Sequence, residues 1–379
     1  MKSYDAIIIG AGPAGTTAAK VIANAGKSCI IIEKQKDFTN RKCAGAMNLI
    51  QALKFGIDPT PVFDVALQPV KGAKIYSPNG DFFEIQTEDF RYDIGGYILD
   101  RDRFDERLAR DAEKAGAELV MNYLPRWATG DIEYKDGLYS LKRLMKDGRY
   151  VDICSKYLID ASGFWSVAGK KFGITSSLPY NEYHTCLQYT IKTEVPWQDN
   201  EIISIFLGNN IAPFGYVWVF PLSEDTIRVG LGMHPKAGNP KKYLDNFLLR
   251  KKINGEIINT ISAPIPLSKI RKTRKGNLFV VGDAGRFCDS LTGGGLIPAI
   301  VSGRAAGKAV VADNPKVFDS EIKPLKRMLR RRWFVRKFFY DISDTKMDKL
   351  IAKMKERRFR STNAERELLQ LLFSYYFSH

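Results

Sequence analysis

Residues 4–33 constrain the fold more than any other stretch. Tyr4–Ile9 is a continuous, β-rich apolar run, and Gly10-Ala11-Gly12-Pro13-Ala14-Gly15 follows it directly. Small residues from Thr16 to Ala25 then lead into a second apolar run, Ser28 to Glu33. The pattern predicts strand, tight turn, helix and strand, the opening of a parallel sheet. In such a turn Gly10 permits the sharp reversal, Gly12 lets backbone approach a pyrophosphate, and Gly15 allows the helix to pack closely on the strand. The helix N-terminus adds N–H donors and the positive end of its dipole. Glu33 closes the second strand, 18 residues beyond Gly15, where a carboxylate accepts ribose hydroxyls of an adenosine. A glycine turn alone is weak; with both strands, the helix and Glu33 it predicts a dinucleotide site.

Parallel-type strands recur at Gly116–Met121, Tyr150–Asp160 and Leu278–Val281, whereas residues 73–97 and about 180–265 alternate with a period near two. At 379 residues the chain is long enough for two domains and an appendage. The order predicts an α/β protein. A doubly wound nucleotide domain (1–70, 98–175 and 268–314) is interrupted by an antiparallel-sheet substrate domain (71–97 and 176–267), and a basic helical region (315–379) follows.

A second element separates FAD from NAD. Gly282-Asp283-Ala284-Gly285 follows an apolar strand and leads through Gly293-Gly294-Gly295 to another helix beginning near Leu296. An acidic residue at a strand end beside a helix N-terminus suits a ribityl or ribose hydroxyl. NAD does not require such a late element; a long, extended cofactor does, and the expected cofactor is FAD.

These stretches, with Tyr97-Ile98-Leu99-Asp100-Arg101-Asp102-Arg103-Phe104-Asp105, resemble flavoproteins of the p-hydroxybenzoate hydroxylase fold. Pro213-Phe214-Gly215-Tyr216-Val217-Trp218-Val219-Phe220-Pro221 resembles the Tyr-x-Trp-x-Phe-Pro box of archaeal geranylgeranyl reductases, and Lys42-Cys43-Ala44-Gly45 falls where that family carries a cysteine followed by glycines. Ala44 and Ala46 depart from the glycine or polar residue expected there. The resemblance spans residues 1–310 and implies an FAD-dependent reductase of isoprenoid double bonds in membrane lipids. It implies that Gly10, Gly12, Ala14, Gly15 and Glu33 hold the adenosine diphosphate part. Cys43, Ala44 and Ala46 would lie near the flavin ring, Arg101 would contact the cofactor, and Asp283, Gly295 and Leu296 would bind its ribityl and flavin end. Aromatic hydroxylation on the same fold, and non-catalytic lipid binding by a flavin-containing protein, are the alternatives.

On a strand Tyr216, Trp218 and Phe220 share one face, either as an aromatic wall for a prenyl chain or as core of the sheet. Cys43 is either a site residue, its thiol influenced by Arg41 and Lys42, or a small buried hydrophobe. Arg101 is either a cofactor ligand or a surface ion pair. Cys29 reads as core. The five cysteines are widely spaced, without a C-x-x-C pair, and the three histidines are far apart; neither suits a disulfide framework or a metal centre.

The net charge of +16 is concentrated at one end: 15 Lys/Arg stand against 4 Asp/Glu between Lys323 and Arg360. Leu325–Tyr340 interleaves Lys326, Arg327, Arg330, Arg331, Arg332, Arg336 and Lys337 with Leu329, Trp333, Phe334, Val335, Phe338 and Phe339. A basic helix with aromatics suits an anionic lipid surface; nucleic acid and simple packing on the body are its rivals, and no nucleic-acid module is recognisable. No run of about 18 apolar residues is present. A cytoplasmic, peripherally membrane-associated enzyme is expected. Its partners would be a prenylated lipid and an electron donor among NAD(P)H, ferredoxin and reduced deazaflavin.

Overall fold

The computed structural model describes residues 1–86, 94–123, 131–146, 148–340 and 342–355. The chain divides into two compact units, each gathered from three separate stretches. Met1–Arg41, Asp102–Leu178 and Pro266–Arg332 form the first, and Lys42–Arg101, Pro179–Ile265 and Trp333–His379 the second.

In the first unit a mostly parallel sheet runs, edge to edge, through strands Arg274–Lys275, Leu278–Val280, Arg149–Asp160, Lys2–Ile9, Cys29–Ile32 and Glu118–Val120. Strand Leu138–Lys146 adds antiparallel to Arg149–Asp160, with Ile132–Lys135 beyond it. Ile7–Ile9 and Ile30–Ile32 are almost wholly buried, which is why these strands read as unbroken apolar runs rather than alternating ones. Helix Pro13–Asn24 and helix Leu296–Val311 lie against each other at van der Waals distance because both are built of small residues. A Cβ on Gly303 would stand 2.1 Å from the Ala14 carbonyl oxygen, and one on Gly307 2.7 Å from the Val21 side chain.

The second unit contains a seven-stranded sheet: Gly255–Pro266, Tyr183–Thr193, Thr226–Met233, Tyr216–Pro221, Ile202–Leu207, Gly72–Tyr76 and Phe82–Gln86. One neighbouring pair departs from the expected antiparallel pattern: Ile202–Leu207 runs parallel to Gly72–Tyr76. These strands come from distant stretches, so no hairpin fixes their direction. Period-two alternation sorts the sheet into two faces. Tyr189, Ile191, Val217, Val219, Val229 and Leu231 join Leu244 and Phe247 of helix Pro240–Lys251 in the core. The opposite face carries Trp218 and Phe220, which cluster with Ile98, Val70, Ala44, Cys186 and Tyr216. A small sheet of Ala46–Asn48, Gly96–Leu99 and Ala66–Val70 supplies Val70 and Ile98.

Two boundaries lie elsewhere than the sequence suggests. Residues 42–70 cluster with the second unit rather than the first, because Ala46–Asn48 and Ala66–Val70 both pair with Gly96–Leu99. The helical end is likewise no separate appendage. Helix Asp344–Lys355 buries Met347, Leu350, Ile351 and Met354. Its Asp344 accepts the Asn209 N–H at 2.7 Å, Asp348 accepts the Asn79 N–H at 2.9 Å, and Lys355 pairs with Asp81 at 2.7 Å. Residues 356–379 of the expected basic region lie outside the described residues.

Candidate active site: a nucleotide cradle and an aromatic sheet face

The glycine turn does what its spacing requires. Gly10 has φ +102°, and a Cβ there would sit 2.4 Å from the Ala161 carbonyl oxygen; at Gly15 it would sit 1.9 Å from the Gly10 oxygen. Gly12 is different: a Cβ there meets nothing within 4 Å, so the space beside it is open. Gly12 caps helix Pro13–Asn24 without a side-chain hydrogen bond, and no acidic residue stands in the first turn. The helix therefore presents its N–H groups and dipole uncompensated by any side chain, as an anion site does.

Glu33 is buried and oriented from both sides. Its Oε2 accepts the Ala11 N–H at 2.7 Å and its Oε1 the Gln35 N–H at 2.9 Å. Each oxygen retains a further acceptor site for a hydroxyl. Asp283 stands in the turn Gly282–Gly285, where Gly282 (φ +55°) brings the chain to within contact of Ala14. A Cβ on Gly295 would be 3.3 Å from Asp283 Oδ1. Gly295 caps helix Leu296–Val311, again with no side-chain cap and no acid in the first turn. Ala14, Gly282, Asp283, Gly295 and the buried Leu296 thus gather at two helix N-termini that lack a side-chain cap from their own N-cap residue.

Arg41 was not distinguished by the sequence as a ligand. Its backbone N–H and that of Asn40 are held by the Asp102 carboxylate at 2.7 and 2.8 Å. Its guanidinium lies over the Phe38 ring and 3.6 Å from Asp105, yet Nε and one terminal nitrogen are buried without a hydrogen-bond partner. A buried cationic donor without a hydrogen bond is costly, and an anionic ligand reaching it would complete it. The open space at Gly12, two helix ends without a side-chain cap and a buried guanidinium with two nitrogens lacking hydrogen bonds fit FAD.

The second unit holds the other expected residues. Cys43 is half-buried, and its Sγ accepts the Gly45 N–H at 3.4 Å. Lys42 and Ala46 are exposed, and Ala44 packs into the aromatic cluster. Arg101 is buried at the start of helix Arg101–Lys114, so it is no surface ion pair. Cys29 is core as expected, its thiol pushed up to about 12 by burial.

Tyr216, Trp218 and Phe220 form a continuous aromatic row, with ring centroids 6.0 and 6.3 Å apart. Glycines make room for it. A Cβ on Gly230 would lie 2.4 Å from the Trp218 ring, and one on Gly232 3.2 Å from Cys186 Sγ. Trp218 Nε1 donates to Gln188 Oε1 at 3.0 Å, and both residues are buried, so the indole is fixed in its plane. Gln188, Cys186 and His184 stand two residues apart on this face of one strand; sequence alternation places them there, but nothing in the sequence pairs them with the aromatic row. Burial pushes the Cys186 thiol up to about 12. Burial, reinforced by the Arg336 charge, lowers His184 to about 3, and its Nε2 lies 3.2 Å from that guanidinium.

Two family models match the chain, an FAD binding domain over residues 3–49 and a geranylgeranyl reductase catalytic domain over residues 182–265. The digeranylgeranylglycerophospholipid reductase of Methanosarcina acetivorans is 35% identical over 390 residues, covering 98% of this chain and 93% of the relative. Its counterpart from Methanocella arvoryzae is 35% identical over 333 residues, covering 86% and 82%. The crystal structure of a geranylgeranyl bacteriochlorophyll reductase-like protein from Thermoplasma acidophilum, 29% identical, matches 99% of this chain and 97% of that one with a TM-score of 0.87. A p-nitrophenol 4-monooxygenase from Pseudomonas putida, 13% identical with a TM-score of 0.74, shares the fold. Similarity of this degree along nearly the whole length places the chain in the geranylgeranyl reductase family.

Proposed function

We propose that the protein is an FAD-dependent reductase that saturates the double bonds of geranylgeranyl chains on a membrane lipid. The observation that carries this reading is the aromatic row Tyr216–Trp218–Phe220, which lies inside the matched catalytic region. A prenyl chain is long, apolar and without polar handles, so shape and exclusion of water must position it. The row, its glycine-made recess and the fixed indole supply such a surface. FAD held by the protein and reduced by two electrons from a donor would supply a hydride for one alkene carbon, with a proton needed for the other. The chain's own residues hold the cofactor's phosphates and sugar hydroxyls through the glycine turn, Glu33, Arg41 and Asp283. Arg101, Cys43, Ala44 and Ala46 belong to its flavin side, and Cys43 acts there by position. His184 remains neutral at physiological pH and Cys186 remains a thiol. Neither is therefore a ready acid for the second carbon. NAD(P)H, ferredoxin and reduced deazaflavin are the candidate electron donors.

The test is mass spectrometry of a geranylgeranyl glycerolipid incubated anaerobically with dithionite-reduced enzyme. A gain of two hydrogens per double bond is expected. Oxygen consumption coupled to NAD(P)H oxidation on a phenol would instead identify a hydroxylase, and binding without any mass gain a lipid carrier.

The enzyme reaches its lipid through the helix Lys323–Tyr340. Leu325, Leu329 and Val335 are buried, whereas Lys323, Arg327, Arg330, Arg331, Phe334 and Lys337 are exposed, at a spacing that places them on one helical face. Three of the basic residues turn inward, among them Arg336 beside the buried His184. Lys326 donates to the Thr273 hydroxyl at 2.9 Å, and Arg332 pairs with the buried Asp289. Among the described residues no helix is long and apolar enough to cross a membrane. A basic face bearing the exposed Phe334 matches an anionic lipid surface. Replacing Arg327, Arg330, Arg331 and Lys337 together by Gln should weaken co-sedimentation with phosphatidylglycerol vesicles at least about tenfold, at roughly 1 kcal/mol per basic residue. FAD content and turnover in detergent should be unchanged, and 1 M salt should mimic the substitution on the wild type. Equal sedimentation of both proteins would end the membrane reading.

A further inference from the structure

The loop that carries Cys43 is held by a residue far away in sequence. Arg228 stands on strand Thr226–Met233, opposite Phe220 and on the face shared with Gly230 and Gly232. One terminal nitrogen of its guanidinium donates to two carbonyl oxygens, that of Ala44 at 3.0 Å and that of Leu99 at 3.0 Å. Gly45 lies between them with φ +88°; a Cβ there would be 2.7 Å from the same nitrogen and 2.6 Å from the Leu99 oxygen. Only glycine permits both the conformation and the approach. The Leu99 N–H donates back to the Gly45 oxygen at 3.0 Å, and the Gly45 N–H is directed at Cys43 Sγ. The loop, the end of strand Gly96–Leu99 and the sheet of the aromatic row are therefore tied through one cation.

We propose that Arg228 is a positioning residue of the reductase, fixing Cys43-Ala44-Gly45 at a set distance from the aromatic row. The inference rests on the reading of the Cys43 loop as part of the reaction site. A guanidinium suits the task because its donors are fixed in a plane and its charge strengthens both hydrogen bonds. A lysine preserves the charge without the planar geometry.

Two variants, Arg228→Met and Arg228→Lys, test the proposal in the full-length, FAD-loaded protein. The first readout is the rate at which iodoacetamide alkylates Cys43, followed by peptide mass spectrometry so that the other four cysteines do not contribute. Arg228→Met should accelerate it at least about fivefold, with Arg228→Lys between the two. The second readout is turnover of a geranylgeranyl lipid. Arg228→Met should lower kcat at least about tenfold with KM changed by less than about twofold, and Arg228→Lys should recover part of the loss. Should Arg228→Met not fold, Arg228→Lys carries both readouts. Alkylation at the wild-type rate in every folded variant overturns the proposal. Faster alkylation with unchanged kcat leaves Arg228 as the clamp and overturns the placement of the Cys43 loop in the reaction site.

Discussion

Gly12→Ala is expected to give an apoprotein as stable as the parent that binds FAD at least about a hundredfold more weakly, a loss of about 2.7 kcal/mol. The added methyl meets no protein atom within 4 Å, and φ −76°, ψ 177° is extended backbone open to alanine. The only thing it displaces is what occupies the space beside the helix N-terminus, the pyrophosphate. Gly15→Ala provides the contrast. Its methyl would lie 1.9 Å from the Gly10 oxygen, a collision between two backbone segments that no rotamer relieves, so stability and FAD should be lost together. Flavin absorbance after extensive dialysis and the melting temperature of the apoproteins separate the two cases. Undiminished FAD affinity in Gly12→Ala would show that the cofactor does not lie at this turn.

Trp218→Ala should lower the melting temperature of the second unit by roughly 6–20 °C. That range follows from a cost of about 3–5 kcal/mol for removing a buried tryptophan and about 2–4 °C per kcal/mol in a unit of this size. The side chain is 8% exposed and its truncation also strands the Gln188 amide. Loss of activity in that variant would consequently say little about the reaction. Trp218→Phe with Gln188→Met is the sharper experiment. It keeps an aromatic body and leaves no orphaned amide, but frees the ring from its fixed plane. We expect folding and FAD content close to wild type, and turnover of a geranylgeranyl lipid reduced at least about fivefold. Turnover equal to wild type would make the aromatic row the core of a sheet and nothing more.

Much of the nucleotide cradle was legible because it is local. The turn Gly10–Gly15, Glu33 and the Gly282–Gly295 stretch each contain their own strand-to-helix transition, and the structure brings Ala14, Asp283 and Gly295 together in one unit. The shared face of Tyr216, Trp218 and Phe220 followed from strand periodicity. Contacts that close over long separations were not legible. Arg228 meets Ala44 across 184 positions, and Gln188 meets Trp218 across 30; strand alternation fixes the face of each but not its partner. The misplaced boundary at 42–70 has a related cause. Ala46–Asn48 and Ala66–Val70 are too short and irregular to show a period, and their membership is decided by Gly96–Leu99. In the basic helix, charge density was plain from composition, but the pairing that turns Arg332 toward Asp289 was not.

The strand order of the first unit also dictates when the molecule can take shape during synthesis. Lys2–Ile9 is synthesised well before its partners: one of its two neighbours in the sheet is Arg149–Asp160, and that strand in turn is flanked by Leu278–Val280. A nascent chain that has not passed residue 280 therefore carries an incomplete parallel sheet with an open hydrogen-bonding edge. Long-range pairing of this kind is slow and leaves apolar strands uncovered in the interval. The interrupted arrangement, in which stretches of the two units alternate along the chain, thus delays closure of the nucleotide sheet until residues 278–280 have been made.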